Sequence, residues 1–360
     1  MVLRKGFTTG TAATAALKAS LLFQLYGEQP EAVVINLPDD KPLTIKIEAY
    51  QKIKDRYFAC VIKDAGDDAD ITHGCLLSAA CVLLQDSEGI TFDSEYGVGR
   101  VTLEGLGIPV GEPAVNAVPR KMMRKVLSEF GIKNARIIIN VENGEGLAKS
   151  TLNNKVGVKG GISILGTSGI VEPMSEQAWR ESLLPMMDVL KAKGYDDVVL
   201  VLGGRGEEYY LQNFGVHENI IICGNHFGYA IRNLIDRNFR QIHLCGAFQK
   251  MIKLSGGNLN TDSRYSDSKN ELMALYYLMD SGVYDGKVVS EILTARPFSS
   301  VVGVLEKGGV DIGKLFDDLC EAAVSKLKDF FDPDADRGVV FRVTMMRKDT
   351  VIGDFWEEKR

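Results

Sequence analysis

The sequence predicts an α+β N-terminal domain over residues 1–155, followed by an α/β domain with a small, mostly parallel sheet over residues 156–335. A C-terminal strand and tail complete the chain over residues 336–360. The length of 360 residues suits two or three domains, since one domain usually takes about 150 residues. Strand-like runs with few helices fill the first part, whereas strands and helices alternate after about residue 157. Such alternation favours parallel strands joined by right-handed crossovers.

The first domain is predicted to begin with a helix over the apolar run 11–25. The hydroxyls of Thr8, Thr9 and Thr11 can accept hydrogen bonds from free amides of the first turn, and the alanines that follow favour helix. A second helix is predicted over 119–130, where apolar residues recur at helical spacing and Gly131 follows. Strands are predicted from β-branched and aromatic runs between turn residues, at 32–37, 43–49, 57–63, 90–92, 98–103 and 135–141.

The second domain is predicted to contain four short parallel strands, at 162–165, 198–202, 220–223 and 241–245. Helices are predicted between and after them, at 176–193, 229–237, 266–280, 287–293, 299–307 and 312–331. The run 339–345 predicts a final strand, for which the sequence indicates no partner.

Charge and cysteine content narrow the class of protein. The formal net charge of −6 argues against a nucleic-acid-binding protein or one that coats an anionic membrane. No stretch approaches the roughly 20 apolar residues that span a bilayer. The six cysteines form no C-x-x-C, and no histidine lies at zinc-ligand spacing from them. We therefore expect reduced thiols, a cytoplasmic location and no protein-bound metal. The sequence leaves the oligomeric state open, including a homo-oligomer.

Each predicted strand of the second domain ends in a loop of small residues. These loops are 166–169 (GTSG), 203–206 (GGRG), 224–228 (GNHFG) and 246–250 (GAFQK). In an open parallel sheet such loops share the carboxyl edge, where glycines admit close approach and helix N-termini present free amides. Four in succession predict a small-molecule site. Glu172 could accept hydrogen bonds from ribose hydroxyls or could be a helix-start carboxylate beside Pro173.

The usual nucleotide fingerprints are missing. No G-x-G-x-x-G follows a strand and opens a helix, and in the P-loop-like run 308–314 the required Ser or Thr is replaced by Leu315. This argues against a standard dinucleotide or ATP site.

The first domain has an acidic loop, residues 63–74 (KDAGDDADITHG), with four carboxylates, one lysine and one histidine in twelve positions. It is not an EF-hand, because the required Gly and closing Glu are out of register. It is either a functional loop or a solvated acidic turn. Arg120, at the end of the rigid loop 111–120, and Arg100 could supply a cationic clamp for carboxylates.

Together these segments resemble the cobalt-precorrin-5B (carbon-1)-methyltransferase family of anaerobic cobalamin biosynthesis. The resemblance rests on residues 6–11 (GFTTGT), the acidic loop, residues 111–120, residues 160–174 (GGISILGTSGIVEPM) and residues 250–267, which include 260–264 (NTDSR). It covers the chain to about residue 270. The sequence departs from the family at Ala12, Ala69 and Asp262, where the family usually has cysteine, proline and histidine.

The resemblance implies transfer of a methyl group from S-adenosyl-L-methionine to carbon-1 of cobalt-precorrin-5B, giving cobalt-precorrin-6A. The cobalt belongs to the substrate. The donor is expected in the glycine loops of the second domain, at Gly166, Thr167, Ser168, Gly169, Glu172, Gly203, Gly204, Asn225 and Gly246. The corrinoid is expected to face the first domain, at Thr8, Thr9, Lys63, Asp64, Asp68, Arg100 and Arg120. Asp67 and His73 are the catalytic candidates, for handling a proton or polarising the ring.

Two other classes remain open from the residues alone. A nucleotide-cofactor oxidoreductase fits the α/β part but lacks the fingerprint. A non-catalytic tetrapyrrole-binding protein would bind a corrinoid without a methyl donor.

Overall fold

A computed structural model describes residues 3–85, 89–281 and 284–357. It divides the chain into two compact units, unit 1 (Met1–Glu176) and unit 2 (Gln177–Arg360). Within those described ranges, no helix has both the length and the apolar character that crossing a membrane requires.

Unit 1 is a mixture of short and long strands with three helices among its described residues. In chain order its elements are β1 (Gly6–Phe7), α1 (Thr9–Tyr26), β2 (Ala32–Asn36), β3 (Pro42–Lys46), β4 (Ala49–Ile53), β5 (Arg56–Ile62), β6 (Leu76–Leu83), β7 (Ile90–Asp93), β8 (Gly97–Val98), β9 (Arg100–Val101), α2 (Ala117–Glu129), β10 (Ala135–Val141), α3 (Gly144–Ala148), β11 (Val158–Lys159), β12 (Gly161–Ile162) and β13 (Ile170–Val171).

A five-stranded sheet in the order β4-β5-β6-β10-β7 forms the centre of unit 1, and all its pairs are antiparallel except β10 with β7. Helix α1 packs against β5 and β6. Most of α1 is buried, and small residues such as Ala12 and Ala16 let its backbone lie close to the sheet. The Thr8 side chain caps α1 by accepting from the Thr11 N–H, and the left-handed Gly27 ends it. The predicted N-terminal helix and its cap are therefore confirmed.

Unit 1 also contains a strand that the sequence analysis missed. Strand β6 is central in the sheet, and Leu77, Ala79 and Ala80 on it are fully buried. A strand covered on both faces lacks the alternation that marks a half-exposed strand. The predicted strand 43–49 is in fact two strands, β3 and β4, and the predicted strand 98–103 is limited to the short β8 and β9.

Three two-stranded pairings attach residues 158–171 to unit 1. Strand β11 pairs with β9, β12 pairs with β8, and β13 pairs with β1. The boundary between the units therefore lies at residue 176 instead of the predicted 155. The expectation that 162–165 is a strand of the second-domain sheet is wrong, because β12 takes its partner from unit 1.

Unit 2 alternates strands and helices, as predicted. Its elements are α4 (Glu176–Ala192), which begins at the boundary, β14 (Asp197–Val201), α5 (Gly204–Phe214), β15 (Ile220–Ile222), α6 (Phe227–Asp236), β16 (Gln241–Ala247), α7 (Phe248–Ser255), α8 (Lys269–Ser281), α9 (Gly286–Thr294), α10 (Val301–Lys307), α11 (Ile312–Phe331), β17 (Val340–Arg347) and β18 (Thr350–Trp356), with a short 3₁₀ turn at Phe298–Ser300 before α10.

The sheet of unit 2 has the order β15-β14-β16-β17-β18. Its first four strands are parallel and β18 is antiparallel, so the mostly parallel sheet is confirmed. Strand β17 pairs with β16, which supplies the partner that the sequence did not indicate for 339–345. Residues 340–356 thus complete the sheet of unit 2 and are not a separate C-terminal element.

Candidate functional site

The acidic loop (residues 63–74) is fastened to the first residues of unit 1. The Phe7 N–H donates to the Asp64 carbonyl at 2.8 Å, and the Asp67 N–H donates to the Arg4 carbonyl at 2.9 Å. The Arg4 N–H in turn donates to the Asp67 carboxylate at 2.7 Å. At Gly66, φ is +69°, and an added Cβ would lie 2.0 Å from the Arg4 carbonyl oxygen, so this close approach requires glycine. These hydrogen bonds and the close approach at Gly66 therefore hold the backbone of the loop against the N-terminal residues.

Asp64 is held in its ionised form. The Arg4 guanidinium donates to both carboxylate oxygens, and the Gly66 N–H donates to Oδ1 at 2.8 Å. These hydrogen bonds lower the pKa of Asp64 to about 2. The carboxylate is fully charged at neutral pH.

An ion pair joins Lys63, the first residue of the loop, to Asp70 within it. Lys63 is 1% exposed, and its Nζ donates to Asp70 Oδ2 at 2.7 Å. Asp70 Oδ1 accepts from the Thr72 N–H at 2.8 Å and the Thr72 hydroxyl at 2.6 Å. Burial opposes ionisation of Asp70, but the bonds from Lys63 and Thr72 outweigh it and lower the pKa of this carboxyl. Lys63, predicted to bind substrate, therefore supports the loop from inside.

His73 is oriented by the backbone. The Ala65 N–H donates to His73 Nδ1 at 3.0 Å. Because a backbone amide can only donate, Nδ1 must carry the lone pair, and the neutral ring then carries its proton on Nε2. The side chain is 52% exposed. His73 can therefore present an Nε2–H donor at the surface of unit 1.

Two further carboxylates of the loop bind main-chain amides. The exposed Asp67 carboxylate accepts from the backbone N–H of Arg4. Asp68 Oδ1 accepts from the Met174 N–H at 3.0 Å. Asp68 thus ties the acidic loop to the segment that follows β13. The Lys5 ammonium pairs with Glu172 on the same side of unit 1. The run is therefore a structured loop, and Asp67 is the aspartate that it exposes most.

The loop 166–169 lies in unit 1, where it packs against the start of α1. The Gly169 carbonyl accepts from the Thr8 N–H at 3.0 Å and from the Thr11 hydroxyl at 2.7 Å. At Gly166, φ is +141° and an added Cβ would lie 2.3 Å from Thr8 Oγ1. The prediction that this loop shares an edge with the other three strand ends is wrong. Thr167 and Ser168 are exposed on it.

Thr8 and Thr9, predicted to bind substrate, are 7% and 4% exposed. The Thr8 hydroxyl caps α1, and the Thr9 hydroxyl accepts from the Leu165 N–H at 2.9 Å. Both hydroxyls therefore form hydrogen bonds within unit 1.

The two predicted clamp arginines hold the loop 111–120. Arg120 is 15% exposed and donates to the Val115 carbonyl at 2.7 Å and to the Glu112 carboxylate at 2.7 Å. Arg100 donates to the Gly111 carbonyl at 3.1 Å and to Asp93 at 2.9 Å. Its side chain is 49% exposed, so Arg100 is the clamp arginine that solvent reaches more readily.

In unit 2, three predicted loops do lie at the carboxyl edge of the parallel sheet. Gly203 and Gly204 follow β14, and in the part of the chain that the structure describes an added Cβ at either would meet no atom within 4 Å. Gly246, within β16, is packed, because its Cβ would lie 2.5 Å from the Leu202 side chain. Since β14 lies between β15 and β16, its open end falls between the strands that lead to Asn225 and Lys250.

A polar cavity of about 320 Å³ lies in unit 2. It is lined by residues that follow β15 and β16, by the segment before α8 and by the first residue of α8: Asn225, Gln249, Lys250, Lys253, Thr261, Asp262, Ser263, Asp267 and Lys269. A second cavity of about 240 Å³ is lined partly by Leu259, Asn260 and Tyr265 of the same segment. Residues 250–267 carry part of the family resemblance, but of these only Lys250, in the loop 246–250, belongs to a site that the sequence predicts. The feature of the sequence that could have indicated a binding site here is the mixture of small, charged and amide residues.

Asn225 organises the wall of the larger cavity. Its Oδ1 accepts from Lys250 Nζ at 2.8 Å and from the Thr261 hydroxyl at 3.1 Å, and its Nδ2 donates to Asp262 at 3.3 Å. Arg264 donates to Asp262 at 2.8 Å and holds the pKa of that carboxyl well below its usual range. The predicted residue Asn225 is therefore part of a cavity wall.

The cysteines are unsuited to nucleophilic chemistry. All six are free and buried. Burial raises the pKa of each, for example to about 11 at Cys75 and about 12 at Cys81, so little reactive thiolate exists at neutral pH. Within residues 3–85, 89–281 and 284–357, no group of three or more His, Cys, Asp or Glu side chains is arranged to hold a metal ion.

A mostly parallel sheet with a polar cavity near the carboxyl ends of its strands is an arrangement that many small-molecule enzymes share, and comparisons with known proteins identify the family. The CbiD family model matches residues 1–173. The cobalt-precorrin-5B C(1)-methyltransferase of Moorella thermoacetica is 35% identical over 331 residues, covering 91% of this chain and 89% of that protein. Its namesake from Methanocaldococcus jannaschii is 34% identical over 362 residues, covering 98% and 97%. A crystal structure of a cobalamin biosynthesis protein from Archaeoglobus fulgidus is 28% identical, covers 74% of this chain and 84% of that one, and has a TM-score of 0.40.

The chain belongs to the cobalt-precorrin-5B C(1)-methyltransferase family. The resemblance predicted from residues 6–11, the acidic loop and the later segments is thereby confirmed.

Proposed function

We propose that this protein transfers a methyl group from S-adenosyl-L-methionine to carbon-1 of cobalt-precorrin-5B, giving cobalt-precorrin-6A. The observation that carries the proposal is the match to methyltransferases of this name along nearly the whole chain. The substrate brings its own cobalt.

The donor site is proposed in unit 2, at Gly203, Gly204 and Asn225. The open backbone after β14 supports it, since a Cβ added at Gly203 or Gly204 would meet no atom of the described residues within 4 Å. The residue chemistry fits the donor, because ammonium and carboxylate groups of both signs line the cavity beside Asn225. When bound, the donor supplies a methyl group that is already electrophilic on its cationic sulfur. Gly166, Thr167, Ser168, Gly169 and Glu172 lie in unit 1 and are not included.

The corrinoid is proposed to contact unit 1. Exposed groups there include Asp67, the Nε2 side of His73 and Arg100. The substrate carries several carboxylates, which favour hydrogen-bond donors and cations. His73 is proposed to donate its Nε2–H to a substrate oxygen, and Asp67 to accept a proton or polarise the ring. The interior groups Thr8, Thr9, Lys63 and Arg120 are proposed to hold these residues in place.

The protein's contribution is then to position the reactants and exclude water, which can account for several kcal/mol of a barrier. A covalent protein intermediate is not proposed, because the six thiols are buried with raised pKa values. We also propose a cytoplasmic location, which the unpaired state of all six thiols supports.

The test is a methyl-transfer assay on the purified protein with cobalt-precorrin-5B and S-adenosyl-L-methionine carrying a ¹³C methyl group. We expect the label at carbon-1 of the product by NMR. An oxidoreductase would instead retain nicotinamide absorbance, and a carrier would bind the corrinoid but not S-adenosylhomocysteine. Either result in place of transfer overturns the proposal.

A further inference from the structure

The larger cavity of unit 2 combines charges of both signs in a small volume. Three lysines, Lys250, Lys253 and Lys269, and two aspartates, Asp262 and Asp267, line about 320 Å³. A ligand that carries only positive or only negative charge would be repelled by some of these side chains. A zwitterion, with a carboxylate and an ammonium a few ångströms apart, would find a partner for each end.

Lys253 is the most informative of these residues. It is 2% exposed, and its Nζ donates to the carbonyls of Thr261 at 3.1 Å and Ser266 at 2.6 Å. An ammonium has three N–H donors. Among the described residues, the nearest carboxylate, Asp267, lies 3.9 Å from Nζ, which is too far for a hydrogen bond. With two N–H groups bound to these carbonyls of the described residues, the third can donate to a ligand in the cavity that Lys253 lines.

The electrostatics of Lys253 favour binding of an anion. Burial lowers the pKa of Lys253, and Asp267 only partly opposes this. A buried charge is costly unless it is paired and hydrogen-bonded. A bound carboxylate would supply both the charge and the acceptor.

Two carboxylates in the lining of the same cavity suit an ammonium. Asp262 is kept ionised by Arg264 and is oriented by Asn225 at 3.3 Å. Asp267 pairs with Lys269 and adds a second carboxylate to the lining. Asn225 also follows β15, next to the open end of β14 where the donor is proposed.

We propose that this cavity binds the amino-acid end of the methyl donor, with its α-carboxylate on Lys253 and its α-ammonium between Asp262 and Asp267. This inference rests on the proposed function. It extends it by assigning the cavity and its charged residues to a part of the donor that glycine loops alone do not recognise.

The test compares two ligands by calorimetry. S-adenosylhomocysteine carries the amino-acid end, whereas 5′-methylthioadenosine lacks it. The wild-type protein is expected to bind S-adenosylhomocysteine more tightly. Lys253→Met should weaken the affinity for S-adenosylhomocysteine by about 10- to 100-fold, as expected for loss of a hydrogen bond to a charged group. The affinity for 5′-methylthioadenosine should stay unchanged.

Controls separate binding from folding. Lys326→Met changes an exposed lysine of α11 outside the cavity and should alter neither affinity. Both tryptophans, Trp179 and Trp356, lie in unit 2, so their fluorescence reports whether that unit is folded. If the Lys253→Met variant unfolds, Lys250→Met, a change at an exposed residue of the same cavity, takes its place in the test. We expect it to lose less affinity for S-adenosylhomocysteine and none for 5′-methylthioadenosine.

The outcomes distinguish the two proposals. The cavity assignment is overturned, and the donor proposal stands, if the wild-type protein binds the two ligands with equal affinity. The same holds if the folded variants lose affinity for both ligands equally or keep their affinity for both. If the wild-type protein binds neither ligand, the donor proposal itself is overturned.

Discussion

Lys63 and Asp70 form an ion pair inside unit 1, with Nζ 2.7 Å from Oδ2 and the lysine 1% exposed. Asp70 also holds Thr72 through two hydrogen bonds. The acidic loop therefore depends on an interior charge pair, and the two partners are not equivalent. The lysine is the more deeply buried, whereas 24% of the aspartate side chain is exposed and it keeps Thr72 as a partner.

Asp70→Asn should destabilise unit 1 more than Lys63→Met does. The first change leaves an ammonium buried without its carboxylate, which typically costs about 3–5 kcal/mol. The second removes the buried charge and leaves a carboxylate that solvent and Thr72 can still satisfy. Unfolding in urea, followed by circular dichroism, measures both free energies. The opposite order would show that the lysine is satisfied by other groups.

His73 is predicted to act as a hydrogen-bond donor through Nε2. In His73→Asn, the amide oxygen can still accept from the Ala65 N–H, but no donor reaches the position of Nε2. In His73→Gln, the amide nitrogen can take the place of Nε2. Methyl transfer should therefore fall by about 10²-fold or more in the Asn variant, as for loss of a catalytic proton donor, and less in the Gln variant.

The readout for His73 is kcat and KM for the corrinoid in both variants, with unit 1 checked by circular dichroism. A general-base role would make both variants equally inactive. A purely structural role would make Gln the worse substitution, because it loses the bond to Ala65.

Gly203→Val is predicted to weaken binding of S-adenosylhomocysteine without unfolding unit 2. Gly203 has an extended backbone, and an added Cβ meets no atom of the described residues within 4 Å, so the new side chain would occupy the space proposed for the ligand. An overpacking cost of about 1–3 kcal/mol corresponds to roughly 5- to 150-fold in affinity. Normal affinity in calorimetry would exclude Gly203 from the donor site.

The contrasting variant is Gly166→Ala. Its Cβ would lie 2.3 Å from Thr8 Oγ1, at a φ of +141° that L residues rarely adopt. We expect loss of stability in unit 1 and unchanged affinity for S-adenosylhomocysteine. A selective loss of that affinity in a stable variant would return the 166–169 loop to the donor site.

Unit 2 is predicted to lose stability in mild acid through His243. This side chain is buried, and its Nε2 lies 2.7 Å from Thr344 Oγ1. Burial, together with the nearby Arg342 and His217, lowers its pKa to about 3, and Asp354 only partly opposes this. The unfolded chain, with a histidine pKa of about 6.5, then binds a proton that the folded unit does not.

The stabilisation from neutral His243 is therefore complete above pH 6.5 and is lost as pH falls toward 3. Between pH 7 and pH 5 the free energy of unfolding should drop by roughly 2 kcal/mol, measured by tryptophan fluorescence in urea. His243→Gln should remove this pH dependence, while His73→Gln in unit 1 should keep it. A flat profile in the wild-type protein would contradict the prediction.

Much of the local structure could be predicted because it is a matter of neighbouring residues. Helix α11 and strand β10 lie where periodicity and β-branched runs place them, and the Thr8 cap follows from a hydroxyl beside free amides. Glycines marked the strand ends after β14 and β15. The family resemblance was likewise carried by short segments in the sequence.

The class of fold, most of the helices and strands, and the family can thus be predicted from the amino-acid sequence. Pairing between distant segments was decided only by tertiary structure: β12 takes β8 as its partner, β17 completes the sheet beside β16, and β6 is central without a periodic signal. For the same reason Thr8, Lys63 and Arg120 turned inward, and Lys253 came to line a cavity with Asp262. A side chain's charge is written in the sequence, but its burial and its partners depend on contacts between residues far apart in the chain.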